Sequence, residues 1–106
     1  MAELDDLKQR LRDFAAARDW AQFHTPKNLA MALVGEAAEV VEHFQWLTAA
    51  ESQALDPAKR AEVALELADV LLYLVMLADS LNIDLVDEAR RKINLNAKRF
   101  PPPPIL

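Results

Sequence analysis

One glycine, Gly35, stands in 106 residues, and the prolines are confined to Pro26, Pro57 and the run Pro101 to Pro104. A chain punctuated so sparsely has few places for tight turns or hairpins and is left with helices. Leu4, Leu7, Leu11, Phe14 and Ala15 recur at helical spacing and predict a first helix from about Glu3 to Phe23. "HTPKNL" reads as a stop and restart, with Thr25 as N-cap, Pro26 in the first helical position and a second helix running to about Leu47. "TAAESQAL" is a connector with room for a short helical turn. Asp56 and Pro57 repeat the start signal for a third helix reaching about Leu81. Asp84 caps a fourth, with Asp87 and Glu88 in the first turn, where the helix dipole favours acids. The expectation is an all-α four-helix bundle: one domain over residues 1–100 and a mobile, proline-rich tail over 101–106.

The third helix carries "ALELADVLLYLVML", apolar on nearly every side, so it has more faces to cover than three partners supply. That predicts an obligate oligomer. Cysteine is absent, which removes disulfides, thiol catalysis and thiolate metal sites. A formal charge of −5 argues against a nucleic acid polymer as partner, though not against a single nucleotide bridged by a metal ion. No apolar run approaches the ~20 residues that span a bilayer. The acidic, amphipathic start "MAELDDLKQRLRDF" is unlike a targeting peptide, so the expected location is cytoplasmic and no membrane partner is expected.

Acids interrupt the two most apolar segments. Glu36 and Glu39 lie in "ALVGEAAEVVEHF", and Glu66 and Asp69 lie in the third helix. A spacing of three puts each pair on one helix face. Two helices joined by a short connector pack antiparallel, so the pairs can face each other. Four carboxylates converging in a partly dry space are costly unless something positive sits among them. Outward-facing, solvated acids are the plainer account. Lysine or arginine partners are another, but none occurs from Ala30 to His43 or from Glu62 to Ala78. An all-oxygen set suits a hard cation, Mg²⁺ or its substitute Mn²⁺. A di-iron centre wants Glu-x-x-His, whereas His43 follows Glu39 by four and the third helix has no histidine. Gly35 costs ~1 kcal/mol in mid-helix, which points to close packing that also brings Glu36 to the facing acids. Tyr73, two turns beyond Glu66, shares the face of the acids.

With those residues placed, the chain resembles the MazG-type all-α nucleoside triphosphate pyrophosphatases, most closely their dCTP pyrophosphatase branch. The pattern is an ExxE followed by an ExxD on the next long helix, met by Glu36, Glu39, Glu66 and Asp69. The blocks "RDFAAARDWAQFHTPKNLAMALVGEAAEVVEHFQW", "ELADVLLYLVML" and "KINLNAKRFP" extend the resemblance over most of the chain. It implies cleavage between the α and β phosphates of a dNTP, first dCTP or a modified dCTP. The four acids would hold Mg²⁺, with Glu36 or Glu39 as proton acceptor. It implies Trp20, His24, Trp46 and Tyr73 around the base, where stacking is worth about 1–3 kcal/mol. Lys92, Asn96 and Arg99 would touch phosphates, with Lys27 as a further partner. Core or interface packing competes for each aromatic, and a basic last turn also answers the helix dipole. Asn94 stands where close relatives carry aspartate, and His43 matches no family residue and reads as structural or exposed. The implied assembly is a homotetramer, a dimer of dimers with sites near subunit boundaries. The rivals are a phosphoribosyl-ATP pyrophosphatase-like enzyme, against which the Trp20–His24 block speaks, and a non-catalytic oligomerisation or nucleotide-sensing module.

Overall fold

Each long helix after the first begins where a side-chain oxygen meets the free N–H groups of its opening turn. In the computed structural model, which describes residues 2–105, α1 spans Ala2–Ala17 and a 3₁₀ turn covers Ala21–Phe23. Thr25 Oγ1 accepts from Asn28 N at 3.2 Å to open α2, Pro26–Glu42. Asp56 Oδ1 accepts from Lys59 N at 2.8 Å to open α4, Pro57–Ser80. Asp84 Oδ1 accepts from Asp87 N at 3.1 Å to open α5, Leu85–Arg99. All three caps are those expected from sequence. Between α2 and α4 lies a fifth helix, α3, Ala49–Ser52, closed by a reciprocal box in which Glu51 N donates to Thr48 Oγ1 and Thr48 N donates to Glu51 Oε1. The expected connector turn is there, and its "TAAE" signature was readable in the sequence. No strand occurs among the described residues.

The helix ends differ from expectation for a physical reason. Without glycines, left-handed C-terminal caps fall to residues that tolerate positive φ: Asp19 and Asn82, each at φ 55°. At the end of α1, Trp20 N donates to Ala15 O at 2.9 Å and Asp19 N to Ala16 O at 3.2 Å. At the end of α4, Ile83 N donates to Ala78 O at 2.9 Å and Asn82 N to Asp79 O at 3.1 Å. The first helix therefore stops at Ala17 rather than Phe23. The apolar spacing lapses there too, since Arg18 and Gln22 occupy the next positions of the buried stripe. Past Glu42, Phe44 N donates to Val41 O and Leu47 N to Phe44 O, tight i→i+3 turns that end α2 before the expected Leu47.

The pairing of α2 with α4 is the main packing, and α1 lies against α4. Arg12 fixes α1 to α4 through a two-pronged pair with Asp79, whose Oδ2 accepts from Nε at 2.8 Å. This guanidinium holds the Asp79 carboxyl below its ordinary range. Only Ala15, Leu29, Val63, Val75 and Ala78 are buried among the described residues. The fourth long helix does not close a bundle within the chain: beyond Leu85 and Val86, every residue of α5 is exposed. Gly35 also departs from expectation, because a Cβ placed there would meet nothing within 4 Å. No close approach within this chain demands it. The molecule extends 57 × 37 × 25 Å with a radius of gyration of 17.4 Å, against about 13 Å for a compact domain of this length. It exposes 8444 Å², where about 6,000 Å² follows from its mass.

A four-carboxylate centre beside an aromatic cavity

Antiparallel pairing of α2 with α4 brings Glu36 and Glu39 opposite Glu66 and Asp69, as the two spacings of three require. Each offers one carboxylate oxygen, and the four oxygens lie within 4.8 Å of one another. Glu36 and Glu66 are half-buried; Glu39 and Asp69 open towards solvent. Glu36 Oε2 and Glu66 Oε2 are buried with no hydrogen-bond partner. Burial, reinforced by the charge of Glu39 and a shared-proton contact with it, pushes the Glu36 carboxyl up. A shared-proton contact with Glu39, then burial, raises Glu66, and His43 opposes that rise. No lysine or arginine is among the groups that shift either acid.

Two orphaned oxygens in a cluster of like charges form a group that could hold a cation. The oxygen set fits a hard divalent ion, and the 4.8 Å span is near the ~4.2 Å across an octahedral Mg²⁺ shell. The raised acids give a signed pH dependence. A carboxyl whose native pKa exceeds its unfolded value opposes folding when ionised and ceases to do so as pH falls. The metal-free protein should therefore gain thermal stability from this cluster as pH drops from neutral through the raised values towards the ordinary 4.5. Asp79, depressed by Arg12, contributes the opposite slope only at lower pH, below the ordinary 3.8. A saturating divalent ion should flatten the upper part of the curve, which scanning calorimetry with and without Mg²⁺ measures.

Beside Asp69 opens a cavity of about 480 Å³, the size of a small-molecule pocket. Trp20, His24 and Tyr73 line it together, so three of the four aromatic-type residues expected at a base site share one space next to the acids. Phe14, Leu72 and Met76 add apolar wall, and Arg10 also lines the space. Phe14 meets Trp20 edge-on, ring centres 5.6 Å apart, and carries the Arg18 guanidinium 3.5 Å above its face. By its spacing Phe14 belongs only to the apolar stripe of α1. The short turn after Ala17 is what swings Trp20 back against it, and positive φ at an aspartate is hard to foresee.

The remaining expected residues are not gathered here. Trp46 is 87% exposed and absent from the cavity wall. Lys92, Asn96 and Arg99 lie along the exposed face of α5, and Asn94 and Lys27 are exposed as well. His43 is the opposite case: sequence gave it no role, yet its Nε2 lies 3.8 Å from Glu66 Oε1.

An all-α chain with an ExxE and an ExxD meeting across paired helices defines a helical fold centred on a cluster of acids that could hold a metal ion. Residues 32–103 match the MazG-like family model, and the chain belongs to that family. It is similar to dCTP pyrophosphatase 1 of the rat, 47% identical, and of human, 46% identical, each over 100 residues. These matches cover 92% of this chain and 59% of each relative, so the chain spans little more than half the relatives' length. The crystal structure of a pyrophosphatase from Archaeoglobus fulgidus superposes with a TM-score of 0.89 at 37% identity, over 94% of both chains.

Proposed function

We propose that this protein is a Mg²⁺-dependent nucleoside triphosphate pyrophosphohydrolase acting on a dNTP, first dCTP or a modified dCTP, to give the monophosphate and pyrophosphate. Removal of unwanted nucleotides from the pool is the corresponding role, in the cytoplasm. The observation that carries the reading is the pair of orphaned, buried oxygens on Glu36 and Glu66, set in a four-carboxylate cluster that adjoins an aromatic cavity. The relatives named dCTP pyrophosphatase 1 and the archaeal pyrophosphatase support it.

Glu36, Glu39, Glu66 and Asp69 would hold the ion, Mg²⁺ or Mn²⁺ as its substitute. When bound, it neutralises phosphate oxygens and supplies a polarised water. Glu36 or Glu39, whichever is left free of the ion, would accept the proton of a water that attacks the α-phosphorus as the α–β bridge breaks and pyrophosphate departs. Trp20, His24 and Tyr73 hold the base in the cavity, which fixes the distance from base to acids and so the phosphate presented for cleavage.

Trp46, Lys92, Asn96 and Arg99 join the site from a second copy of the chain. Two observations favour assembly. The surface exceeds that of a compact monomer by roughly 2,400 Å², the scale of an obligate interface. The face Ala61, Ala64, Leu65, Ala68 and Leu71 of α4 lies open at helical spacing. We assign a homotetramer built as a dimer of dimers, in which α5 completes the helical bundle across a subunit boundary, leaving residues 101–105 as a mobile tail; Leu106, the last residue of the expected tail, lies outside the described residues.

A panel of canonical and modified dNTPs, with phosphoribosyl-ATP, tests this. Scored for monophosphate and pyrophosphate with Mg²⁺, it should show release from dCTP or a 5-substituted dCTP above the rest. Preference for phosphoribosyl-ATP would move the substrate assignment, and no release from any would leave a non-catalytic helical module.

A further inference from the structure

His43 ends α2 with only 16% of its side chain exposed, between a lysine and the carboxylate cluster. On one side Nδ1 stands 3.3 Å from Lys59 Nζ; on the other, Nε2 stands 3.8 Å from Glu66 Oε1. An ammonium has three donors and no acceptor. A contact at 3.3 Å therefore needs the Nδ1 lone pair towards Lys59, which leaves the ring proton on Nε2, facing Glu66. Glu62 could compete for a proton on Nδ1, but its Oε2 is 4.0 Å away and is engaged by Lys59 Nζ at 3.4 Å. At 3.8 Å the Nε2–H meets Glu66 as dipole to charge, longer than a hydrogen bond. Glu66 thus has one oxygen addressed by a ring N–H and the other, Oε2, buried and without a partner.

We propose that His43 is a positioning residue of the cation centre, held by Lys59 as the Nε2–H tautomer so that Glu66 Oε1 is turned to the ring and Oε2 is left for the ion. The logic is that of an outer partner that orients a ligating carboxylate without touching ion or substrate. It rests on the metal-centre reading above and adds a residue to which that reading assigned nothing. The chain's other histidine, His24, lies in the aromatic cavity, so the two ring signals are separable.

The test has two readouts that need no turnover. Long-range ¹H–¹⁵N spectra of the unaltered protein at pH 8 should show His43 protonated on Nε2, and a ring protonated on Nδ1 overturns the proposal. Mn²⁺ is then titrated by electron paramagnetic resonance into nucleotide-free wild type, His43→Leu and His43→Gln. His43→Leu, which keeps bulk without the donor, should weaken Mn²⁺ about tenfold, the lower end for loss of an outer partner. His43→Gln, whose amide nitrogen can stand in for Nε2, should recover most of that loss. Equal affinity in wild type and His43→Leu, or no recovery in His43→Gln, overturns it. Wild type that binds no Mn²⁺ would overturn the metal-centre reading along with this one, whereas a silent His43→Leu beside a binding wild type removes this one alone. Should His43→Leu fail to fold, the ring spectrum and His43→Gln decide.

Discussion

Glu66→Gln should abolish pyrophosphate release while leaving the metal-free protein at least as stable as wild type. Loss of an outer partner of a metal ligand costs about 10- to 100-fold, and loss of a ligand should cost more. Turnover on dCTP should therefore fall by more than about a hundredfold, with Mg²⁺ no longer raising the melting temperature. The stability half of the result is the more diagnostic. A neighbouring acid and burial raise the Glu66 carboxyl, so its ionised form opposes folding near neutral pH. Glutamine keeps the shape and removes that charge. A residue merely packed into a helical interior would show the reverse, with a loss of stability and no change in metal response. Steady-state kinetics and calorimetry with and without Mg²⁺ separate the two.

The second large effect is expected on a residue that lies largely open in the single chain. Leu65 is 71% exposed, and on an isolated chain Leu65→Lys would fall within about ±0.5 kcal/mol, as surface substitutions do. In the assembly it would place an unpaired ammonium in an apolar interface, costing several kcal/mol. The variant should shift to smaller species and melt at a temperature that depends strongly on its concentration. Light scattering coupled to gel filtration reads the first, and melting curves over a hundredfold concentration range read the second. A mass and a melting curve like those of wild type would remove Leu65 from any interface and, with it, the α4 face assigned here.

What the sequence disclosed divides along a physical line. Side chains acting on their own backbone were legible: Thr25, Asp56 and Asp84 cap the helices they were expected to cap. The same holds for Glu36, Glu39, Glu66 and Asp69, because helical spacing and a short connector force the pairs to meet. Events that depend on long-range context were not legible. Asp19 takes a conformation more usual for glycine, which shortens α1 and lays Trp20 on Phe14. Helix α5 has all the local signals of a helix, yet those signals do not say against what it packs, and beyond Leu85 and Val86 it is exposed throughout. Gly35 marks a close approach in sequence terms, and its surroundings within the chain are empty. His43 carried no motif, since its position matters only through Lys59 and Glu66, sixteen and twenty-three residues on.

The carboxylate centre is the claim on which the rest stands, and locating the ion tests it most directly. Crystals grown with Mn²⁺ and a non-hydrolysable dCTP analogue should give an anomalous peak bounded by Glu36, Glu39, Glu66 and Asp69, with the analogue's phosphates on its open side. Ordered phosphates held elsewhere, with no peak among these four side chains, would contradict the account.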